Sequence, residues 1–231
     1  MNESLQAAYS GSGVLAEQRN RVLRNTYWLL ALSMVPTVLG AWIGVQTGFS
    51  FFAGKPLISF MVFMGVAFGF FFAIEKFKNS PVGVALLLGF TFFMGLMLSR
   101  LIGVVLGNFS NGAQLIMMAF GGTALVFFGM ATLATTVKRD LSSMGKWLMV
   151  GAVMLMVACV ANIFLKMPAM AATISALAIV IFSAFMLYDI KRVIDGGETN
   201  YVTATLAIYL DIYNVFQSLL SLLGIFGGER E

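Results

Sequence analysis

Apolar stretches of membrane-spanning length, separated by short polar connections, fill the chain after residue 25. A bilayer's hydrocarbon core is about 30 Å thick and needs roughly 20 apolar residues per helix. Six stretches meet that plainly, at residues 26–46, 57–74, 82–106, 113–136, 147–165 and 169–189. The seventh, residues 202–226, is long enough but carries Asp211, Asn214, Gln217 and Ser218, which are costly against lipid. It is therefore expected inside the bundle and to span rather than re-enter. The predicted fold class is an all-α integral membrane protein, a seven-transmembrane-helix bundle with a central polar last helix. Residues 1–25 are expected to form a mobile N-terminal tail, 26–226 the transmembrane domain and 227–231 a short C-terminal tail.

Composition agrees with lipid as the solvent. The 231 residues are 60% hydrophobic and 10% charged, against about 25% charged in a soluble domain. Too few polar residues exist to cover a water-facing surface. The first 25 residues lack the apolar core and small-residue cleavage site of a secretory signal, so the first helix is expected to remain as an anchor. Cys159 is the one cysteine and histidine is absent, which excludes an intrachain disulfide framework and argues against zinc sites and histidine-based catalysis.

Charge orients the bundle. The net charge is +4, and the basic residues sit in short connections rather than in one patch, so nucleic acid is not an expected partner. Arg19, Arg21, Arg24, Lys76, Lys78, Lys138, Arg139, Lys146, Lys191 and Arg192 fall in alternate connections on the N-terminal side; Lys55, Lys166 and Arg230 fall opposite. The positive-inside rule makes the N-terminal side cytoplasmic and the C-terminal tail periplasmic. Arg100, near the outer end of the third span, is expected to snorkel to the interface, and the 16 methionines to serve as adaptable packing. Gly40 with Gly44, Gly65 with Gly69 and Gly103 with Gly107 are candidate close-approach pairs.

The chemistry concentrates in two acids. Asp189 ends the sixth span and Asp211 lies well inside the seventh, and the turn at Gly196 and Gly197 makes the two spans antiparallel neighbours. At 1.5 Å rise per residue their depths differ by roughly 5–10 Å, within side-chain reach. At 100° per residue, Thr203, Asp211, Asn214, Ser218 and Ser221 share an arc of about 80°, with Tyr209 and Tyr213 opposite. A buried carboxylate pair must share a proton, find a cation such as Lys191 or Arg192, or coordinate a metal ion, and oxygen donors suit calcium. The pair reads as a proton-sensitive gate or cation site; the alternative is that Asp189 pairs with Lys191 or Arg192 at the interface while Asp211 ties an interhelical network. Asp195 and Glu198, in the connection, are expected to be solvated.

Several segments together resemble the Bax inhibitor family, the transmembrane Bax inhibitor motif proteins, in its bacterial YccA-like branch. They are Val22-Leu23-Arg24-Asn25-Thr26-Tyr27, Gly121-Gly122-Thr123-Ala124-Leu125-Val126-Phe127-Phe128, Val160-Ala161-Asn162-Ile163-Phe164-Leu165, Gly196-Gly197-Glu198-Thr199-Asn200-Tyr201 and Tyr213-Asn214 with Phe216. Ala119 to Phe127 matches the second half of the family signature, whereas the Gly-Pro step expected upstream is missing between Gly107 and Gly112. The resemblance implies a seven-helix bundle in the bacterial inner membrane and a pH-sensitive calcium leak, with Asp189 and Asp211 at the sensor positions. Calcium is then the permeant or bound species, with no other cofactor. The family's latch arginine in the second helix has no counterpart between Leu57 and Ile74, and Lys191 or Arg192 are candidates to replace it. The resemblance also implies partnership with the membrane protease FtsH and its HflK and HflC companions, as modulator or substrate.

Two other readings fail on residues. Tyr188-Asp189 with Asp211 is similar to an intramembrane aspartyl protease pair, but Ile208-Tyr209-Leu210 stands where a glycine-lined entry is required. A retinal receptor needs a Schiff-base lysine, and the seventh span has none. No enzymatic activity is expected.

Overall fold

In a computed structural model the backbone is described for residues 3–49 and 56–229, and side chains for 17–49 and 57–229. The described chain forms α1 (Glu3–Thr47), α2 (Pro56–Phe77), α3 (Pro81–Asn108), α4 (Gly112–Thr136), α5 (Met144–Leu165), α6 (Pro168–Ile194) and α7 (Tyr201–Gly227), with no strand among these residues. All seven are long and apolar enough to cross a membrane. That form is required where lipid offers no partner for a backbone N–H or C=O, since a helix satisfies both internally.

Prolines and caps set the boundaries. Pro81 and Pro168 open α3 and α6, where a missing N–H costs nothing. Lys166 takes the left-handed conformation (φ 53°) as α5 ends, and the Asn162 side chain accepts from Met167 N (3.0 Å). Asn200 caps α7 by accepting from Val202 N (2.9 Å) and Thr203 N (3.3 Å). The expected limits hold to within a few residues except in two places. α6 continues to Ile194, so Asp189 lies about 8 Å inside the helix rather than at its end. α1 extends back to Glu3, so the segment expected to be a mobile tail is helical from there on. Lys55, Arg230 and Glu231 lie outside the described residues.

Helices α1 and α3 cross closely because glycine faces backbone at their contact. A Cβ on Gly40 would collide with Phe92 O, one on Gly44 with Ser99 Oγ and one on Gly95 with Thr37 O. The Gly40/Gly44 pair therefore does what its spacing suggested. The other two pairs do not: Cβ atoms on Gly65, Gly69, Gly103 or Gly107 would meet nothing within 4 Å. Arg100 is exposed, in keeping with snorkelling.

Helix α7 is central, packed against α1, α2, α3, α4 and α6. Leu87, Phe90, Ile74, Met186 and Ile190 are fully buried around it, as are Ile208 and Val215 of α7 itself. At one end, Asn200 Nδ2 donates to Lys78 O (3.2 Å) and Asn79 Oδ1 (2.8 Å), joining the start of α7 to the α2–α3 connection. At the other, Asn111 Nδ2 donates to Gly227 O (2.8 Å) while its Oδ1 accepts from Glu229 N (3.1 Å), joining the end of α7 to the α3–α4 connection. Those connections lie on opposite faces of the bundle, so the last helix spans it.

Three outcomes follow. Gly95→Val should destabilise the detergent-solubilised protein by about 2 kcal/mol or more, because overpacking at a backbone contact forces the helices apart. Gly103→Val should leave the melting temperature within experimental error. In a Cys159→Ser background, Glu229→Cys should react with a membrane-impermeant maleimide added to intact cells and Lys138→Cys should not.

Candidate functional site

The α6–α7 hairpin sets the site. Gly197 N and Glu198 N both bond to Arg192 O (2.9 and 3.2 Å) as α6 ends, and Gly196 adopts φ +81°, a conformation that glycine enters without strain. The chain then turns back through Asn200 into α7. Asp189 stands five residues before the end of α6 and Asp211 ten residues after the start of α7. A helical side chain leans toward the N-terminus of its helix. Because the helices are antiparallel, Asp189 leans deeper into the bundle and Asp211 leans back toward the hairpin, which closes the difference in depth.

The two carboxyls face each other across the α6–α7 contact, close enough to share a proton. A hydrogen bond between two carboxyls requires a proton on one of them. Asp211 is 4% exposed and its Oδ2 has no hydrogen-bond partner. The surroundings are apolar: Met186, Ile190, Ile208 and Val215 are wholly buried. Once the shared proton is lost, two anions face each other where water cannot screen them.

The remaining candidates fall around this pair at different distances. Lys191 Nζ pairs with Asp195 Oδ1 (2.7 Å) at the hairpin surface. Arg192 Nη2 pairs with Glu198 Oε2 (3.4 Å), yet its charge still acts on Asp189. Glu198 is thus ion-paired, and also accepts from Asn200 N (3.0 Å), where solvation alone was expected. Asn214 turns its amide to Leu210 O of its own helix (2.8 Å). Ser218 is buried, and one turn further on Ser221 bonds to Ser175 of α6 (3.3 Å).

Among the described residues no three His, Cys, Asp or Glu side chains converge. Calcium takes six to eight oxygens, so the acid pair could supply only part of a shell, with the unpartnered Asp211 Oδ2 as the available donor. Carbonyls, hydroxyls or water would have to complete it.

The opposite face of α7 holds Tyr209 and Tyr213, which the helical pattern places there without a role, and also Thr205. Tyr209 Oη and Thr37 Oγ1 of α1 are hydrogen-bonded at 2.9 Å, and Tyr209 Oη also donates to Thr91 O of α3 (3.4 Å). Tyr213 Oη donates to Met94 O (3.2 Å), and Thr205 Oγ1 reaches Thr26 O of α1 (3.3 Å). The signal was present: tyrosines one turn apart on a buried helix each need a partner for the hydroxyl. α7 is therefore hydrogen-bonded on both sides, to α1 and α3 through tyrosines and to α6 through acids and serines.

Comparison with known proteins gives a consistent answer over nearly the whole chain. The family profile described as "Inhibitor of apoptosis-promoting Bax1" matches residues 19–228. An uncharacterized protein of Neisseria meningitidis serogroup A is 40% identical over 213 residues, 91% of this chain and 93% of the relative. The "Modulator of FtsH protease YccA" of Escherichia coli K12 is 38% identical over 205 residues, 89% of this chain and 90% of that protein. Its counterpart in another Escherichia coli strain, with the same identity, bears the name "Inner membrane protein YccA". With its seven spanning helices and a match covering both ends of the bundle, the chain belongs to the Bax inhibitor family.

Proposed function

We propose that this protein is a multi-pass protein of the bacterial inner membrane that modulates an FtsH-type membrane protease. The observation that carries this reading is the 38% identity, across nearly the full length of both chains, to a protein named as a modulator of that protease. The fold supplies a physical basis. α1 has 45 residues, about 68 Å of helix, more than twice the thickness of the hydrocarbon core. Its N-terminal half therefore extends from the face that carries the basic connections, which is the cytoplasmic face by the positive-inside rule. A protease that engages chain ends from the cytoplasm has a handle there, and the companions HflK and HflC are the expected further partners. Catalysis by the two aspartates is not part of this reading.

The protein should co-purify with FtsH, and raising its level in cells should slow degradation of a membrane-embedded FtsH substrate by severalfold. Deleting residues 1–16 should abolish the slowing while leaving the bundle in the membrane. Unchanged degradation rates at high levels of correctly inserted protein would remove this reading.

The acid pair favours a second reading, a pH-sensitive cation leak with calcium as the permeant ion. Its closed state is the hydrogen-bonded pair with one proton. Raising the pH removes that proton, the carboxylates repel across the α6–α7 contact, and either helix displacement or a cation relieves the repulsion. Calcium flux into proteoliposomes should rise from pH 6 to pH 8, and Asp211→Asn, which keeps a hydrogen-bond donor without the charge, should flatten that dependence. Flux no greater than in empty liposomes at either pH sinks the leak and leaves protease modulation untouched.

A further inference from the structure

At the foot of α1 a groove of about 640 Å³ opens between that helix and the α6–α7 connection, lined on one side by Arg19, Arg21 and Asn25 and on the other by Glu198, Thr199 and Tyr201. The groove is built into the fold, because the Arg19 side chain packs directly on Gly196, where a Cβ would stand 2.9 Å from Arg19 Cδ. Its acids already hold cations of their own: Asp195 is paired with Lys191 at 2.7 Å and Glu198 with Arg192 at 3.4 Å. Arg21 is exposed and makes no ion pair among the described residues. The groove therefore presents a guanidinium, with the Asn25 amide and the Thr199 and Tyr201 hydroxyls as neutral donors, a set suited to a phosphate.

What lies above the groove narrows the ligand further. At 100° per residue, Arg21, Asn25, Trp28, Leu32 and Leu39 fall within about 60° of one another on α1. Trp28 is 74% exposed, Leu32 50% and Leu39 48%. The wall of the groove thus continues without a break into an apolar, lipid-facing stripe, with Trp28 at the level where aromatic side chains mark the membrane interface. A soluble anion would use only the groove. A phospholipid uses both parts, its phosphate at Arg21 and its acyl chains along Trp28, Leu32 and Leu39.

We propose that the groove between α1 and the α6–α7 connection binds an anionic phospholipid of the cytoplasmic leaflet, with Arg21 as the phosphate-binding residue. Such a lipid would bridge the extended part of α1 to the hairpin that holds Asp189 and Asp211 in place.

The test is native mass spectrometry of the full-length protein in detergent, with phosphatidylglycerol and phosphatidylcholine of the same acyl chains as probes. Wild type should retain phosphatidylglycerol at least fivefold better than phosphatidylcholine. One basic residue near a bilayer surface contributes on the order of 1 kcal/mol, about fivefold in binding, so Arg21→Gln should lose about that factor, Arg21→Lys should keep most of it and Lys138→Gln should lose none. Equal losses in Arg21→Gln and Lys138→Gln would reduce the effect to general attraction by the basic face and overturn the site. Displacement of phosphatidylglycerol by equimolar soluble glycerol phosphate would overturn the lipid assignment, as would undiminished retention in a correctly folded Arg21→Gln protein.

Discussion

A helix that carries a carboxyl in its middle cannot face lipid, and that constraint organises this bundle. Asp211 can be buried only where something shares its charge or its proton, and that partner is Asp189 on the adjoining helix. Because the partner is on α6, the rest of α7 must be surrounded by other helices. Its remaining polar groups then find partners there: Tyr209 and Tyr213 reach α1 and α3, Thr205 reaches α1, and Ser221 reaches α6. An apolar core encloses these bonds and strengthens each by excluding water.

The two ends of α7 are held with equal economy. One asparagine at each face does the work of a loop: Asn200 caps the helix and ties it to the α2–α3 connection, and Asn111 grips the backbone where the helix ends. The axial register of α7 is thereby determined at both faces, and with it the depth at which Asp211 meets Asp189. Arg192, three residues after Asp189 on α6, is ion-paired to Glu198 and so ties the end of that helix to the turn.

The seven helices and their approximate limits were legible because hydropathy is a property of sequence alone. The acid pair was legible for a related reason: a turn marked by two glycines, with an aspartate on either side at comparable depth, leaves few geometries open. Less could be read where contact between distant segments decides the outcome. Three glycine pairs share one spacing, yet only Gly40 and Gly44 face a partner, because glycine spacing records the capacity for close approach and not which surface lies opposite. Lys191 and Arg192 were equivalent candidates beside Asp189, but helix rotation and the position of the turn gave one to Asp195 and the other to Glu198. Local order also outran the hydrophobic pattern, since α1 continues to Glu3 and α6 to Ile194 through segments broken up by charged and polar residues.

By itself, then, the sequence determined the solvent, the number of spans, the basic face and the presence of two acids within reach of each other, since each depends on composition or on spacing along a single helix or hairpin. Tertiary structure decided which connections anchor α7 at each face, that its tyrosines bind α1 and α3, and that a groove forms between α1 and the hairpin. Those features join residues more than a hundred positions apart, and such joins depend on how helices rotate and pack against one another, which no local pattern encodes.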